Sequence, residues 1–231
     1  MLRKVAPWLA AAVSLVACDG TLSFDVSAGP KSFDIGTEGL GIPAELRTPE
    51  AQVASLPCGD GAFVCPSVAT FSIECVGGVC DPGPIPVAVE IGDGFDLEQY
   101  TTKLGDIADR IESVTFNSVS YAVESNTLNT DLPLITVYWG PMSAAFIDES
   151  MGVMPLGSIE PIAAGSTPSG QILLDDFGQQ ALSDHIVAVD RQLRLFARAP
   201  IDIDPGDRFP EGAVRMSVTM SLHIVGETKL F

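Results

Sequence analysis

Residues 213–226, "AVRMSVTMSLHIVG", alternate without a break: Val214, Met216, Val218, Met220, Leu222 and Ile224 on one side, Arg215, Ser217, Thr219, Ser221 and His223 on the other. Successive side chains of a strand point to opposite faces, so this period of two predicts a half-buried β-strand. The same alternation recurs near the start in "TLSFDVSAG" and "KSFDIG", with Leu22, Phe24 and Val26 on one face. It appears again from Val114 through Phe116, Val119, Tyr121 and Val123. There the parity slips at Asn117-Ser118, which predicts a β-bulge. Shorter apolar runs at 87–91, 134–140 and 193–203 read as further strands, the second ended by Gly140-Pro141. Two stretches follow a helical period instead. Leu97, Tyr100, Leu104, Ile107 and Ile111 recur behind a capping Asp96, and Leu182, Ile186, Val189 and Leu193 form a second stripe.

Short strands with one apolar face each, separated by turn signals, predict a mainly β chain. The expected fold is an antiparallel, immunoglobulin-like β-sandwich with one or two short helices. No long linker, low-complexity run or repeat divides the chain, so residues 18–231 read as one domain. The one excursion is a cysteine-rich insertion at about 55–82.

The first seventeen residues, "MLRKVAPWLAAAVSLVA", stand apart. Arg3 and Lys4 precede a charge-free run from Val5 to Ala17, too short to cross the ~30 Å hydrocarbon core as a helix. A basic start, a short apolar run and a small residue at its end form a secretory signal peptide. The run closes on Leu15-Val16-Ala17-Cys18. This resembles the lipobox of bacterial lipoproteins: Leu, a variable residue, a small residue, then Cys. The resemblance implies that Cys18 takes a diacylglycerol and becomes the first mature residue. Each buried CH₂ would add roughly 0.8 kcal/mol to a membrane anchor. Asp19 resembles the residue that retains enteric lipoproteins in the inner membrane, although that rule varies between lineages. Inner and outer membrane both stay open.

Four further cysteines, Cys58, Cys65, Cys75 and Cys80, sit in one short segment. Export would place them in an oxidising compartment, where they form disulfides. Gly77-Gly78 in "ECVGGVC" signals a two-residue hairpin that sets Cys75 opposite Cys80. That geometry predicts Cys75–Cys80 and, by elimination, Cys58–Cys65; the two crossed connectivities remain alternatives. The spacing lacks Cys-x2-Cys knuckles, so no metal site is expected.

Charge narrows the partners. The 231 residues carry 12 Lys+Arg against 30 Asp+Glu, a formal net charge of −18. A nucleic-acid binder needs a basic face to displace counterions, and this chain lacks the charge for one. The two histidines are His185, which follows Asp184 on a helical stripe, and His223 on the polar face of the last strand. Neighbouring residues on a helix do not face each other, and no Gly-x-Ser-x-Gly elbow supplies a nucleophile. Asp202, Asp204 and Asp207 crowd one turn but miss the EF-hand pattern. Glu90, Asp93, Asp96 and the pair Asp175-Asp176 read as ordinary surface carboxylates. Tyr138 and Trp139 point to opposite faces of a strand, so one of them belongs to the core. No catalytic set and no cofactor emerge.

The successions "IESVTFNSVSYAVESNTLNTDLPLITVYWGP" and "DIDPGDRFPEGAVRMSVTMSLHIVG" resemble uncharacterised β-rich lipoproteins of large-genome Gram-negative bacteria, some of which also carry a "CVGGVCDPGP"-like segment. The resemblance spans about two-thirds of the chain. It implies a β-sandwich displayed on the extracytoplasmic side of the cell envelope and brings no catalytic residues. The expected role is non-enzymatic binding or scaffolding, with an envelope protein or a glycan as partner. An extracytoplasmic hydrolase with a carboxylate site, or a Ca²⁺-dependent adhesion module, is the alternative.

Overall fold

The computed structural model describes residues 21–37, 57–59, 64–65, 72–100, 111–203, 207 and 210–227. The leader, Cys18 and Asp19 lie outside these residues, as do Leu104, Ile107 and Asp204.

The chain forms an antiparallel β-sandwich. The first sheet holds β1 (Thr21–Gly36), β6 (Ile111–Asn126), β9 (Ser169–Gln171) and β12 (Ala213–Glu227), in the order β1-β12-β6-β9. The second holds β4 (Ile85–Glu90), β5 (Phe95–Asp96), β7 (Ile135–Pro141), β8 (Met154–Ile159), β10 (Leu173–Leu174) and β11 (Gln192–Ile201), ordered β10-β8-β7-β11-β4 with β5 also on β11. A third, two-stranded sheet pairs β2 (Glu74–Val76) with β3 (Val79–Asp81).

The alternation read along the chain becomes the core. Val214, Met216, Val218, Met220, Leu222 and Ile224 of β12 are all fully buried and meet Leu193, Leu195, Ala197 and Ile201 of the second sheet in one cluster. On the polar face of β12 Arg215 is exposed, Thr219, Ser221 and His223 are half-buried, and Ser217 is buried. The bulge foreseen at Asn117-Ser118 is present: Ser221 pairs with Ser118 and Leu222 with Phe116, leaving Asn117 as the extra residue. A second irregularity lies between Ala28 and Lys31, where Gly29 and Pro30 step out of register. Pro30 cannot donate to a ladder, and β1 tolerates it as an edge strand. Gly29 has φ +117°, and a Cβ there would meet the Val218 carbonyl oxygen at 2.7 Å.

The helical expectations are corrected in part. One α-helix, α1 (Asp176–Ala188), is present among the described residues. Asp175 caps it by accepting from the Gly178 N–H at 2.8 Å. Leu182 and Ile186 are buried as expected, but Val189 lies beyond the helix and is exposed, and Leu193 belongs to β11. The chain turns at Asp190, whose side chain accepts from the Gln192 N–H, so Leu193 serves a strand period that its helical spacing only mimics. The stripe starting at Leu97 opens, behind its Asp96 cap, as a 3-10 turn of three residues, Leu97–Gln99. Ile111 pairs with Gly226 as the first residue of β6.

Helix α1 packs against both β6 and β8, covering the core where the two sheets part. Its close seat needs Gly178, where a Cβ would lie 1.7 Å from the Pro155 carbonyl oxygen.

Candidate functional site

The cysteine-rich insertion is the most distinctive local construction. Gly77 and Gly78 take φ +62° and +85°, the pair of left-handed residues that a type I′ turn requires. The register follows: Val76 faces Val79, Cys75 faces Cys80, and Glu74 faces Asp81. The hairpin and its register match the sequence reading, but the bonding does not. Cys58 is bonded to Cys75 and Cys65 to Cys80, with Cα–Cα distances of 5.8 and 5.6 Å.

The reason lies in a contact that spacing cannot reveal. Pro57 bridges to Val79, and the Cys58 N–H donates to the Gly78 carbonyl at 2.9 Å. Pro57 and Cys58 thus lie against the hairpin backbone, which sets the Cys58 sulfur beside that of Cys75. A Cys75–Cys80 bond would only tie strands that the glycine turn already joins. The observed bonds close longer loops, with sequence separations of 17 and 15, and so restrict the unfolded chain more. The sulfurs of Cys58, Cys65 and Cys80 lie within 4.8 Å of one another. Held in disulfides, they offer a metal no thiolate.

Alternation gives the hairpin two faces. Cys75 and Cys80 occupy the stapled one. Glu74 and Val76 of β2 and Asp81 of β3 occupy the other, which opens onto a cleft of about 400 Å³. Ser72, Pro82, Gly83, Pro84 and Pro86 form the rest of its wall. The Asp81 carboxylate accepts from the Gly83 N–H at 2.9 Å, and Gly83 turns the chain at φ +58°. Two carboxylates thus face each other across one rung of the hairpin, beside a wall of prolines. Glu74 is exposed and Asp81 half-buried. Neither histidine lines the cleft.

The other candidates lie elsewhere. His185 does not pair with Asp184, which accepts instead from Gln180 at 2.8 Å. Its ring packs on Trp139 at 5.3 Å between centroids, and neither the His185 Nε2 nor the Trp139 Nε1 has a hydrogen-bond partner among the described residues. Trp139 is the core member of the Tyr138-Trp139 pair; Tyr138 faces outward under the Arg198 guanidinium, 5.6 Å from its ring centroid. His223 places Nδ1 at 2.9 Å from Asp25, which also accepts from Asn117 at 3.3 Å. The hydrogen bond with His223, aided by Asn117, holds the Asp25 carboxyl below the usual carboxylate range. The pair sits on the open face of the first sheet.

Glu90 pairs with Arg194 at 3.5 Å. Asp96 caps its 3-10 turn by accepting from the Glu98 N–H. Asp93 meets Lys31 at 2.6 Å, a contact that lowers the Asp93 pKa and raises that of Lys31. This ion pair links the two sheets beside a smaller cleft of about 170 Å³ lined by Phe95, Gln99 and Met142. The Asp202-Asp204-Asp207 turn falls partly outside the described residues.

The facing of Glu74 and Asp81 was implicit in the Gly77-Gly78 turn, which fixes every rung of the hairpin. The proline wall was not, because nothing local shows that the chain after β3 folds back beside it.

No family model matches the chain, and no curated protein matches it. Among solved structures, a chain in the cryo-EM structure of Mud crab tombus-like virus is 12% identical with a TM-score of 0.36, covering 99% of this chain and 90% of that one. A likeness this loose assigns neither family nor function.

Proposed function

We infer that the protein is a lipid-anchored component of a bacterial cell envelope, held through Cys18, whose sandwich serves as a non-enzymatic binding or scaffolding module. One observation carries the reading. Of the five cysteines, four are consumed in two disulfides, and Cys18 alone is left, directly behind the leader and three residues ahead of β1. Disulfides agree with an oxidising, extracytoplasmic setting. Three residues span at most about 10 Å, so a lipid on Cys18 would hold the Thr21 end of β1 close to the bilayer. A strand of 16 residues rises roughly 50 Å, which would carry the Gly36 end well away from it. No helix among the described residues is long and apolar enough to cross a membrane.

The non-enzymatic reading is supported by the site chemistry. Asp184 and His185 do not engage each other, the Asp25–His223 pair lies on an open sheet face, and most of the other described carboxylates named above serve ion pairs or caps. The test is metabolic labelling with palmitate in a Gram-negative host, followed by membrane fractionation. The wild-type chain is expected to incorporate label and sediment with membranes. Cys18→Ser is expected to lose both. Unchanged membrane association of Cys18→Ser would refute the anchor.

A further inference from the structure

We propose that the four cysteines of the insertion form a thiol–disulfide exchange site, entered at Cys75 by a small-molecule thiol, that moves the two staples from one connectivity to another. Three observations place them for it. The sulfurs of Cys58, Cys65 and Cys80 lie within 4.8 Å of one another, although they belong to two different bonds, Cys58–Cys75 and Cys65–Cys80. Cys75 and Cys80 face each other on one rung of the hairpin. Facing residues of an antiparallel pair sit about 4.5–5.5 Å apart between Cα atoms, inside the range that a disulfide spans. A Cys75–Cys80 bond is therefore within reach without any change of register. Burial then selects the point of entry: Cys75 is exposed, Cys65 is half-buried, and Cys58 and Cys80 are buried.

The nucleophile in exchange is a thiolate, and all four sulfurs are oxidised, so the first thiolate comes from outside. It attacks the Cys75 sulfur. A mixed disulfide forms there, the Cys58–Cys75 bond breaks, and its electron pair leaves on Cys58 as thiolate. That thiolate lies beside the second bond and attacks the Cys65 sulfur. Cys58–Cys65 forms, Cys65–Cys80 breaks, and Cys80 becomes the thiolate. Cys80 then attacks Cys75 across the rung, forming Cys75–Cys80 and expelling the thiolate that entered. One S–S bond forms for each that breaks, the thiol is returned, and nothing is oxidised or reduced overall. In the product the hairpin is closed on itself. Of the contacts described above, only the Pro57–Val79 bridge and the bond from the Cys58 N–H to the Gly78 carbonyl then hold Pro57 and Cys58 against it. Exchange converts a covalently tied hairpin into one that is free to part from that segment.

The test incubates the full chain, in non-ionic detergent and without oxygen, with about 1 mM reduced glutathione near the thiol pKa of about 8.5. Samples are quenched with N-ethylmaleimide and mapped by non-reducing mass spectrometry. Glutathione is expected first on Cys75. Peptides joining Cys75 to Cys80 and Cys58 to Cys65 should follow, alongside the original pairs, while Trp139 fluorescence stays native. The rate should fall about tenfold for each pH unit below the thiol pKa, following the thiolate fraction. Cys65→Ser combined with Cys80→Ser should lose the relay and stop at glutathione on Cys75 with Cys58 alkylated. Original pairs recovered unchanged, first modification at Cys58, Cys65 or Cys80, or new pairs appearing only in urea that unfolds the chain would each overturn the proposal. Cys18→Ser should exchange at the parent rate; loss of exchange there would assign the entering thiolate to Cys18 and overturn the external entry. Palmitate labelling reads the anchor separately, so failure of one reading does not mimic failure of the other.

Discussion

Replacing Gly178 by alanine sets two opposed effects against each other at one atom. In the first turn of an exposed helix the change would stabilise, because glycine is about 1 kcal/mol worse than alanine in a helix. Here the added Cβ would fall 1.7 Å from the Pro155 carbonyl oxygen and 2.8 Å from its carbon. Both atoms are backbone, in the strand that α1 packs against, so no side chain can rotate away. The helix must lift from β8, which loosens Leu182 and Ile186 from the core they help to close. Overpacking of this kind typically costs about 1–3 kcal/mol, more where backbone must move. The clash outweighs the propensity gain, and we expect a net loss of about 2 kcal/mol, roughly 4–8 °C in Tm for a domain of this size. Urea unfolding with the disulfides intact provides the assay. Trp139 packs on His185 of the same helix, so its fluorescence reports the seat of α1 directly. Phe177→Ala, one residue earlier and 70% exposed, is the control and should change stability by no more than about 0.5 kcal/mol. A Gly178→Ala protein as stable as the parent would refute the close seating of the helix on β8.

Three other outcomes follow from the same geometry. Met220→Ala, at a fully buried position of β12, should cost about 2–5 kcal/mol by denaturant titration, whereas Ser221→Ala on the opposite face should be nearly neutral. Non-reducing mass mapping should recover Cys58 joined to Cys75 and Cys65 to Cys80; Cys65→Ser combined with Cys80→Ser should lower stability by roughly 3 kcal/mol through the lost loop constraint. The Lys31–Asp93 pair should make its contribution pH-dependent at both ends. Asp93 is lowered by its hydrogen bond with Lys31, so that stability is present above about pH 4 and fades as pH falls through the depressed pKa. Lys31 is raised by the same bond, so its share is present below about pH 10 and fades as pH rises through the elevated pKa. The stability gap between the parent and Lys31→Met should therefore be widest between those limits, and a gap constant across pH would contradict the pairing.

Much of the fold was legible because burial leaves a period in the sequence. β12 and β1 could be read residue by residue, and even the bulge at Asn117 showed as a slip of parity, since one extra residue reverses every side chain after it. The hairpin was legible too, because Gly77 and Gly78 dictate a turn that dictates a register. The misreadings share a cause. Leu193 satisfies a helical spacing and a strand alternation equally, and only pairing with β5 and β7 decides between them. Ile111 extends the stripe from Leu97, yet Gly226 on β12 claims it for a strand.

What the sequence determined by itself is therefore local: the strand faces, the turn at Gly77-Gly78 and the cap at Asp96. Each depends on residues a few positions apart, whose preferences act before any distant contact forms. Tertiary structure alone decided which cysteine meets which, where Gly178 must stay bare, and that three prolines line one cleft with Glu74 and Asp81. These depend on segments brought together across long stretches of chain. The free energy that selects them comes from closing the shared core, and it leaves no period in the residues that it joins.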